Sequence, residues 1–512
     1  MQHRKTAILL AFLLAASWTL AGAQPRQRPT APLTDEQKLI EAMHLISSEP
    51  LFDYVKELCS EKYAGRLTGT PEFDACAAWV ASLLKSWGVQ PAGDRGTYLQ
   101  AFPNPYSLVF KGGLLTMDIP VKDGVIKKSY KYENEFIPGG TTAGGEITAE
   151  VIYVGYGITA PELGYDDYAG VDVKGKIVLM DPEVPVMPGA NNLDQFKKWR
   201  PYSFHQYKLE NAVAHGAKGM IYNYGPIGNP NNSYREGFVY HHVGTAVVTD
   251  VFAGTGRTYG DVTVKIRKDL KPQSFATGKI MTLKNVAERH PEGIGYNVLG
   301  VIPGSDPVLK DEVIIIGGHL DHLGRLWEMM PGANDNATAV AVGLGVAEAM
   351  AKSAIKSKRT VLFIFFGSEE QGVAGSDYYC EHPVYPLDKT LVFMNMEGPG
   401  IGDKISASGG TTYPAFWSII ENANQKYIHR QLSTGPTSYP GRPRQDSARF
   451  FWKGVPSLTF GAYGKDIPYA TYHLPKDAPG LITPEIMEAT AQLFFMAIMD
   501  MNNRPTLNFR AN

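Results

Sequence analysis

The stretch Ile314-Ile315-Ile316-Gly317-Gly318-His319-Leu320-Asp321-His322 constrains this chain more than any other. A β-branched run of this kind predicts a strand buried on both faces, as in the parallel sheets of α/β proteins. Residues two apart in an extended chain point the same way, so we expect His319 and Asp321 to face one site just past the strand. His322 receives no role and is interpreted as a turn residue.

Further acidic and histidine residues follow predicted strands or precede a predicted helix. They are Asp335 before a helix at 338–352, Glu369 and Glu370 after a strand at 360–366, Glu397 after a strand at 391–396, and His473 after a short strand at 457–460. In an open α/β sheet the carboxyl ends of the strands converge on one crevice, where ligands bind. Imidazole and carboxylate groups without a thiolate are a ligand set for a hard or borderline metal ion.

These positions resemble the ordered motifs of the co-catalytic di-zinc exopeptidase family, which contains bacterial leucyl aminopeptidases, aminopeptidase Y and glutamate carboxypeptidase. The motifs are His319-x-Asp321, Gly332-Ala333-Asn334-Asp335-Asn336, Glu369-Glu370-x-Gly372, Asn395-Met396-Glu397 and Tyr472-His473-x-Pro475-x-Asp477. The resemblance implies an α/β zinc exopeptidase fold, with a mixed, mostly parallel central sheet flanked by helices. It also implies a smaller α/β protease-associated domain inserted into that fold.

The resemblance implies two Zn²⁺ ions per chain and gives five residues the role of ligand. His319 is expected to bind one ion and His473 the other, with Asp335 as the bridge between them. Glu370 is expected to complete the first site, that of His319, and Glu397 the second. An Asp suits the bridge because its carboxylate is short and leaves both oxygens free.

Two further residues are implied to take part in catalysis without binding metal. Glu369 is expected to act as the general base and then as the acid, within reach of the water between the ions. Asp321 is expected to fix the ring of His319 through the second ring nitrogen. The resemblance also implies a cis peptide between Asp335 and Asn336. Asp446 and Asp477 are weaker candidates for a supporting role.

The implied function is that of a zinc-dependent aminopeptidase that removes N-terminal residues from exported or extracellular peptides through a bridging metal-bound water. Glu397 stands where many aminopeptidases of the family carry Asp, which leaves a carboxypeptidase or dipeptidase on the same di-zinc site as an alternative. A carboxypeptidase would need a cation for the substrate carboxylate, and Arg442, Arg444 and Arg449 are available. A remote alternative is an inactive peptidase-fold binding protein, but such relatives lose metal ligands and this chain has all five.

The N-terminal residues predict export. A positive pair, Arg4-Lys5, precedes the apolar run Ala7–Leu20 and the small-residue box Ala21-Gly22-Ala23, which together are typical of a signal peptide. The apolar run is short for a bilayer, and no cysteine follows the box, so we expect no membrane anchor. We therefore predict a periplasmic or secreted protein.

The expected organisation has six parts. They are a signal peptide at 1–23, a flexible lead-in at 24–34, the first part of the zinc exopeptidase domain at 35–105, a linker and protease-associated insert at 106–290, the second part of the exopeptidase domain at 291–505, and a tail at 506–512. Within the insert, Gly164–Tyr168, Gly175-Lys176 and Ala214–Ala217 carry the resemblance to a protease-associated domain. The insert histidines, His205, His215, His241 and His242, are not expected to form a second metal site.

Charge and cysteine content limit the partners. The chain has 49 Lys and Arg against 51 Asp and Glu and no polybasic run, which argues against nucleic acid or an anionic membrane as a partner. Peptide substrates are the expected partners, and the oligomeric state stays open. Of the three cysteines, Cys59 and Cys76 could form a bridge, but free buried thiols are the favoured interpretation.

Overall fold

The computed structural model describes residues 32–189, 191–229, 233–437, 445–464 and 471–510. The predicted signal peptide, most of the lead-in, and both Arg442 and Arg444 lie outside the described residues. Within the described ranges, no helix combines the length and the apolar character needed to cross a membrane.

The α-helices of the described residues are α1 (Asp35–Met43), α2 (Ser48–Leu58), α3 (Pro71–Ser86), α4 (Leu193–Trp199), α5 (His205–Ala214), α6 (Thr245–Phe252), α7 (Tyr259–Asp269), α8 (Thr338–Lys352), α9 (Ala374–Glu381), α10 (Pro414–Ala423), α11 (Asp446–Trp452) and α12 (Pro484–Asn502). The strands before residue 291 are β1 (Gln90–Pro91), β2 (Leu99–Pro103), β3 (Tyr106–Val121), β4 (Gly124–Ser129), β5 (Phe136–Pro138), β6 (Gly145–Tyr153), β7 (Thr159–Ala160), β8 (Tyr165–Asp166), β9 (Ile177–Met180), β10 (Gly219–Tyr222), β11 (Val239–Val243) and β12 (Phe275–His290). The later strands are β13 (Ile294–Ile302), β14 (Val313–His319), β15 (Arg325–Leu326), β16 (Glu328–Met329), β17 (Thr360–Phe366), β18 (Thr390–Met396), β19 (Lys404–Ser408), β20 (Leu432–Gly435) and β21 (Ser457–Tyr463).

The first sheet has the order β1-β13-β17-β14-β18-β21-β19-β20, with β2 also paired to β13. Its four central strands, β17, β14, β18 and β21, are parallel. The neighbouring strands β13 and β19 run antiparallel to them. The predicted mixed α/β sheet flanked by helices is confirmed, with its central parallel block built from the apolar runs that the sequence predicts as strands.

Helix α8 shows why small residues follow the turn at Asp335. The helix is buried on nearly every side because it packs against the sheet and against helices α2 and α12. A Cβ at Gly343 would lie 2.7 Å from the ring of Phe365, and one at Gly345 would lie 2.6 Å from Leu51. Glycine at these two positions therefore sets how closely the helix approaches its neighbours.

The second sheet is formed mainly by residues 106–290, called here the insert. Its order is β16-β15-β3-β12-β6-β9-β10-β11-β5, with β4 paired to β3. The short strands β15 and β16 do not come from the insert, because they follow the site-bearing strand β14. Strand β15 pairs in parallel with β3 at Leu326 and Val109. The insert is therefore joined by main-chain pairing to the loop that leaves the first sheet.

The three cysteines, Cys59, Cys76 and Cys380, are free and buried. The favoured interpretation of free thiols is confirmed, and the alternative of a bridge between Cys59 and Cys76 is wrong. Burial raises the pKa of Cys59 to about 11 and that of Cys76 to about 12, so both stay protonated at neutral pH.

Candidate metal centre

The predicted ligands come together at the carboxyl edge of the parallel strands. His319 is the last residue of β14, Glu397 follows β18, and Glu370 lies in the turn after β17. Asp335 lies in the turn that leads into α8, and His473 lies in the loop before α12. Strand ends from one sheet thus place residues far apart in the chain around one crevice, as the order of the motifs predicts.

Asp335 lies between the two histidines. Its Oδ1 is 3.2 Å from Nε2 of His319, and its Oδ2 is 3.1 Å from Nε2 of His473. Glu397 Oε2 is 3.3 Å from the same nitrogen of His319, whereas Glu370 Oε2 is 3.1 Å from that of His473. The expected pairing of the glutamates was therefore reversed: Glu397 lies with His319 and Glu370 with His473.

The charges of these groups favour a cation between them. Burial opposes protonation of His319 and His473, but the facing carboxylates of Glu397 and Glu370 raise both pKa values well above the ordinary range. Burial alone would raise the pKa of Asp335, yet its contacts with the two histidines hold it well below the ordinary value. The buried carboxylates thus draw positive charge into the site.

The donor set fits metal ions of the kind that imidazole and carboxylate groups bind. Among the described residues, two groups of mutually close ligand atoms share Asp335: one adds His319 and Glu397, the other His322, Glu370 and His473. Zinc accepts ligands of these types in such numbers.

His322 is the residue that the sequence interpretation missed. The sequence predicts a turn residue without a role, but His322 is fully buried, and its Nδ1 lies 2.8 Å from Glu370 Oε1. Its ring also stands edge-on to that of His473, with the ring centres 5.5 Å apart. The sequence held one indication of a role, because His322 lies three residues past the end of a buried strand. Its side chain lies at the site only because the chain reverses direction after that strand.

Asp321 supports the site in a different way from the one expected. The Nδ1 of His319 lies 3.1 Å from the main-chain oxygen of Asp321 and 3.6 Å from its carboxylate. The carboxylate instead accepts hydrogen bonds from the main-chain N–H groups of Glu369 and Glu370, at 3.1 and 3.3 Å. Asp321 therefore holds the His319 ring with its backbone and the two glutamates with its side chain.

The turn at Asp335 is fixed from two sides. Asp477 is fully buried and accepts hydrogen bonds from the N–H groups of Asn334 and Asp335, at 3.0 and 3.1 Å. The peptide between Asp335 and Asn336 is cis, as the resemblance implies. The amide of Asn336 donates to the oxygen of Met396 and accepts from the N–H of Gly398, which ties this turn to the end of β18.

Asp446, the other weaker candidate, lies at the start of α11 and is fully buried. Burial raises its pKa to about 8, against the opposing attraction of His319. Its supporting role stays a prediction.

Arg66 connects the first segment of the chain to both metal-site turns. Its guanidinium is fully buried and donates to the main-chain oxygens of Leu58, Leu320, Pro331 and Gly332, at 2.7–2.9 Å. Leu320 follows His319, a predicted ligand, and Pro331 and Gly332 precede the turn at Asp335. Arg66 thus holds together two turns that carry predicted ligands, a role that the sequence does not reveal.

Glu369 lies at the surface of a cavity of about 540 Å³ that exposes Asp335, Glu370 and Glu397. Burial raises the pKa of Glu369 well above its ordinary value, and the neighbouring glutamates add to the effect. Among the described residues that line this cavity there is no lysine or arginine. Arg449, proposed above as a possible cation for a substrate carboxylate, pairs instead with Asp377 at 3.0 Å.

The histidines of the insert are dispersed. His241 lies 2.8 Å from the amide oxygen of Asn285, and His215 stacks on Tyr168. His205 and His242 face each other, with their Nε2 atoms 3.3 Å apart. In the described part of the chain, every group of three or more potential metal ligands belongs to the centre around Asp335.

Comparisons with known proteins agree with this geometry. Residues 297–498 match the model of peptidase family M28. The chain is 31% identical over 180 residues to a probable leucine aminopeptidase 2 of Aspergillus oryzae, an alignment that covers 33% of this chain and 34% of that protein. It is 25% identical over 422 residues to an aminopeptidase of Pseudomonas aeruginosa, covering 78% of this chain and 67% of that protein. The chain therefore spans about a third of the first relative and about two thirds of the second.

The fold also matches a solved structure. A zinc aminopeptidase from Bacillus subtilis superposes with a TM-score of 0.56 at 17% identity, covering 89% of this chain and 95% of that chain. At this identity the match concerns the fold, and it extends across both sheets. Residues 297–498, which carry the strand-end site except for its contacts with the insert and with Arg66, therefore resemble peptidase family M28 in sequence, and the whole chain resembles a zinc aminopeptidase in fold.

Proposed function

We propose that this protein is a zinc-dependent aminopeptidase that hydrolyses the N-terminal residue from peptides. The observation that carries the proposal is the position of Asp335, with one oxygen toward His319 and the other toward His473, in a cavity walled by carboxylates. The family match and the aminopeptidase relatives support the same activity.

We propose two Zn²⁺ ions per chain. His319 and Glu397 would hold one, His473 and Glu370 the other, and Asp335 would bridge them. Supporting this assignment are the two groups of ligand atoms that share Asp335. When bound, such ions supply a water of lowered pKa and polarise the peptide carbonyl.

Glu369 would move the proton. Its carboxylate borders the cavity, and one of its oxygens lies within 4.8 Å of ligand atoms of His319 and Glu370, so it is placed to accept a proton from the attacking water. A raised pKa lets the same carboxyl group keep that proton until it passes to the leaving amine. Asp321 would position Glu369 through the hydrogen bond to its N–H.

The negative charge of the cavity favours binding of a peptide through its free amino terminus. Asp335, Glu369, Glu370 and Glu397 place negative charge where a free ammonium would bind. A substrate carboxylate would meet those groups without an opposing cation from the described lining. The charge of the described lining therefore favours an aminopeptidase over a carboxypeptidase, although Glu397 replaces the usual Asp.

A pair of blocked peptides tests the direction of attack. One short peptide is offered with its amino end acetylated, and again with its carboxyl end amidated. We expect cleavage of the amidated peptide alone, and loss of that cleavage after zinc is removed by a chelator and its return after zinc is added. Cleavage of the acetylated peptide alone would identify a carboxypeptidase instead.

We further propose that the protein is exported, to the periplasm or the medium, and that the insert is a protease-associated domain. The charged, apolar and small-residue order of residues 1–23 supports export. Sequencing the N-terminus of the protein from a producing cell tests it, since processing near Gln24 is expected.

A further inference from the structure

A loop of the insert lies directly against the ligand His473. This loop, residues 225–229, follows strand β10. The Nδ1 of His473 is 2.7 Å from the main-chain oxygen of Gly228, and the N–H of Gly228 donates to the oxygen of His473 at 3.0 Å. His473 has a φ of 56°, in the left-handed region that residues with a side chain seldom adopt. Two reciprocal hydrogen bonds from the insert thus hold an uncommon backbone conformation.

The contact with Gly228 also determines which ring nitrogen of His473 is protonated. A carbonyl oxygen only accepts hydrogen bonds, so the Nδ1 of His473 must be the donor. Nε2, which lies 3.1 Å from both Asp335 and Glu370, is then the atom with a lone pair for a metal ion. Hydrogen bonds of this type to the far nitrogen of a ligand histidine fix its tautomer and its orientation.

The loop itself is held by a buried pair of histidines in the insert. The Nδ1 of His242 lies 2.8 Å from the main-chain oxygen of Ile227, next to Gly228. The Nε2 of His242 is 3.3 Å from that of His205, whose Nδ1 is 3.0 Å from the hydroxyl of Ser233. All three of these side chains are buried.

The other side of the loop packs against the segment after β14. A Cβ at Gly228 would lie 2.7 Å from Leu323 and 2.9 Å from Leu326. A residue with a side chain at this position would have to displace either the leucines or the loop. The loop is therefore confined between the buried histidines and the strand β15 that joins the two sheets.

We propose that the insert is a working part of the metal centre: Gly228, held in place by His242 and His205, positions His473 for its metal ion. The inference rests on the proposed di-zinc function and adds to it residues that lie outside the family match. Gly228 and His473 are 245 positions apart, so this contribution comes from the fold and not from the local motif.

Zinc affinity of full-length variants tests the proposal. His242→Leu removes the donor to Ile227, whereas His242→Asn keeps an amide N–H close to the place of Nδ1. His241→Leu is the matched control, because the neighbouring His241 is equally buried but contacts Asn285 on the other side of β11. Zinc dissociation constants are measured by competition with a chromophoric chelator, and thermal unfolding is followed for each variant.

We expect His242→Leu to weaken the binding of one of the two zinc ions by roughly 10–100-fold, as loss of such indirect support generally does. His242→Asn should recover most of that affinity, and His241→Leu should bind zinc as the wild type does even if it unfolds at a lower temperature. If His242→Leu does not fold, Gly228→Ala carries the same expectation.

Two results would overturn the proposal: wild-type zinc affinity in His242→Leu or Gly228→Ala, or an equal loss in the variants at 241 and 242. A wild-type protein that binds no zinc would instead remove the proposed function itself, so the two failures are distinguishable.

Discussion

Replacing Arg66 by Met should destabilise the protein and loosen its metal centre together. The guanidinium supplies all four hydrogen bonds described above to the carbonyls of Leu58, Leu320, Pro331 and Gly332. Methionine fills much of the same volume but donates none of them. All four carbonyls belong to buried residues. Gly332 keeps a hydrogen bond from the N–H of Ala337, whereas the carbonyls of Leu58, Leu320 and Pro331 keep no partner among the described residues.

The magnitude follows from two opposing costs. A buried acceptor that loses its donor costs about 1–3 kcal/mol, so the three orphaned carbonyls together cost about 3–9 kcal/mol. Arg66 has no carboxylate partner among the described residues, so removing it also recovers the several kcal/mol spent on burying the charge. We therefore expect a net loss of about 3–5 kcal/mol in the free energy of unfolding.

Guanidinium unfolding followed by tryptophan fluorescence measures this loss, and a chelator competition measures zinc retention. Arg359→Met is the matched control, because Arg359 is also fully buried but contacts Glu312 and Met501 at the opposite end of β17. Both variants should unfold at lower denaturant concentration, but only the one at Arg66 should release zinc more readily. Equal zinc retention in the two would show that the Arg66 hydrogen bonds do not organise the site.

Three other perturbations have defined outcomes. Glu369→Gln should lower turnover by roughly 10²–10⁴-fold with zinc content unchanged; near wild-type turnover would exclude Glu369 as the base. His322→Phe removes the contact with Glu370 and should weaken the binding of one zinc ion by about 10-fold or more in the same competition assay. His322→Asn should have an intermediate affinity. Wild-type zinc affinity in His322→Phe would show that His322 has no role in binding the metal. Burial lowers the pKa of His241 and His242 to about 4, so between pH 6.5 and 4 the unfolded chain binds protons that the folded chain refuses. As the pH is lowered from 6.5 to 4, the free energy of unfolding should therefore decrease by roughly 3 kcal/mol per histidine. The melting temperature of His241→Leu should decrease less over the same pH range than that of the wild type.

The sequence predicted the elements around the site well because their patterns are local. The apolar run at 360–366 and the small-residue helix at 338–352 have the predicted bounds, and His319 ends its strand. Apolar runs bounded by glycine and polar residues mark buried strands with little ambiguity when helices cover both faces of a sheet. The prediction that the five candidate ligands lie close together then followed from the convergence of the ends of parallel strands.

The partners of the two glutamates could not be predicted in the same way. Glu397 follows β18, the strand next to β21, so neighbouring strands alone would place it beside the loop that carries His473. The loop instead carries His473 to Glu370, on the far side of Asp335, where Gly228 holds it. No periodicity encodes a contact between an insert loop and a loop 245 residues later.

The second sheet was also only partly predictable. Its main strands come from the insert, but β15 and β16 come from a segment that the sequence assigns to the second half of the exopeptidase domain. Two-residue strands carry almost no pattern, and their pairing depends on what the fold brings beside them. His322 likewise lies at the site only because the chain turns back beside Glu370.

The antiparallel pairing of β2 with β13 has a consequence for how the molecule is made. These strands flank the insert, so the first sheet stays open until the ribosome has produced everything between them. The contacts that complete the centre span 254 residues from Arg66 to Leu320 and 245 from Gly228 to His473. Such long-range closures are intrinsically slow. A nascent or truncated chain without the loop at His473 lacks one of the five predicted ligands and its contact with Gly228, so we expect the centre to be completed only when synthesis is nearly finished.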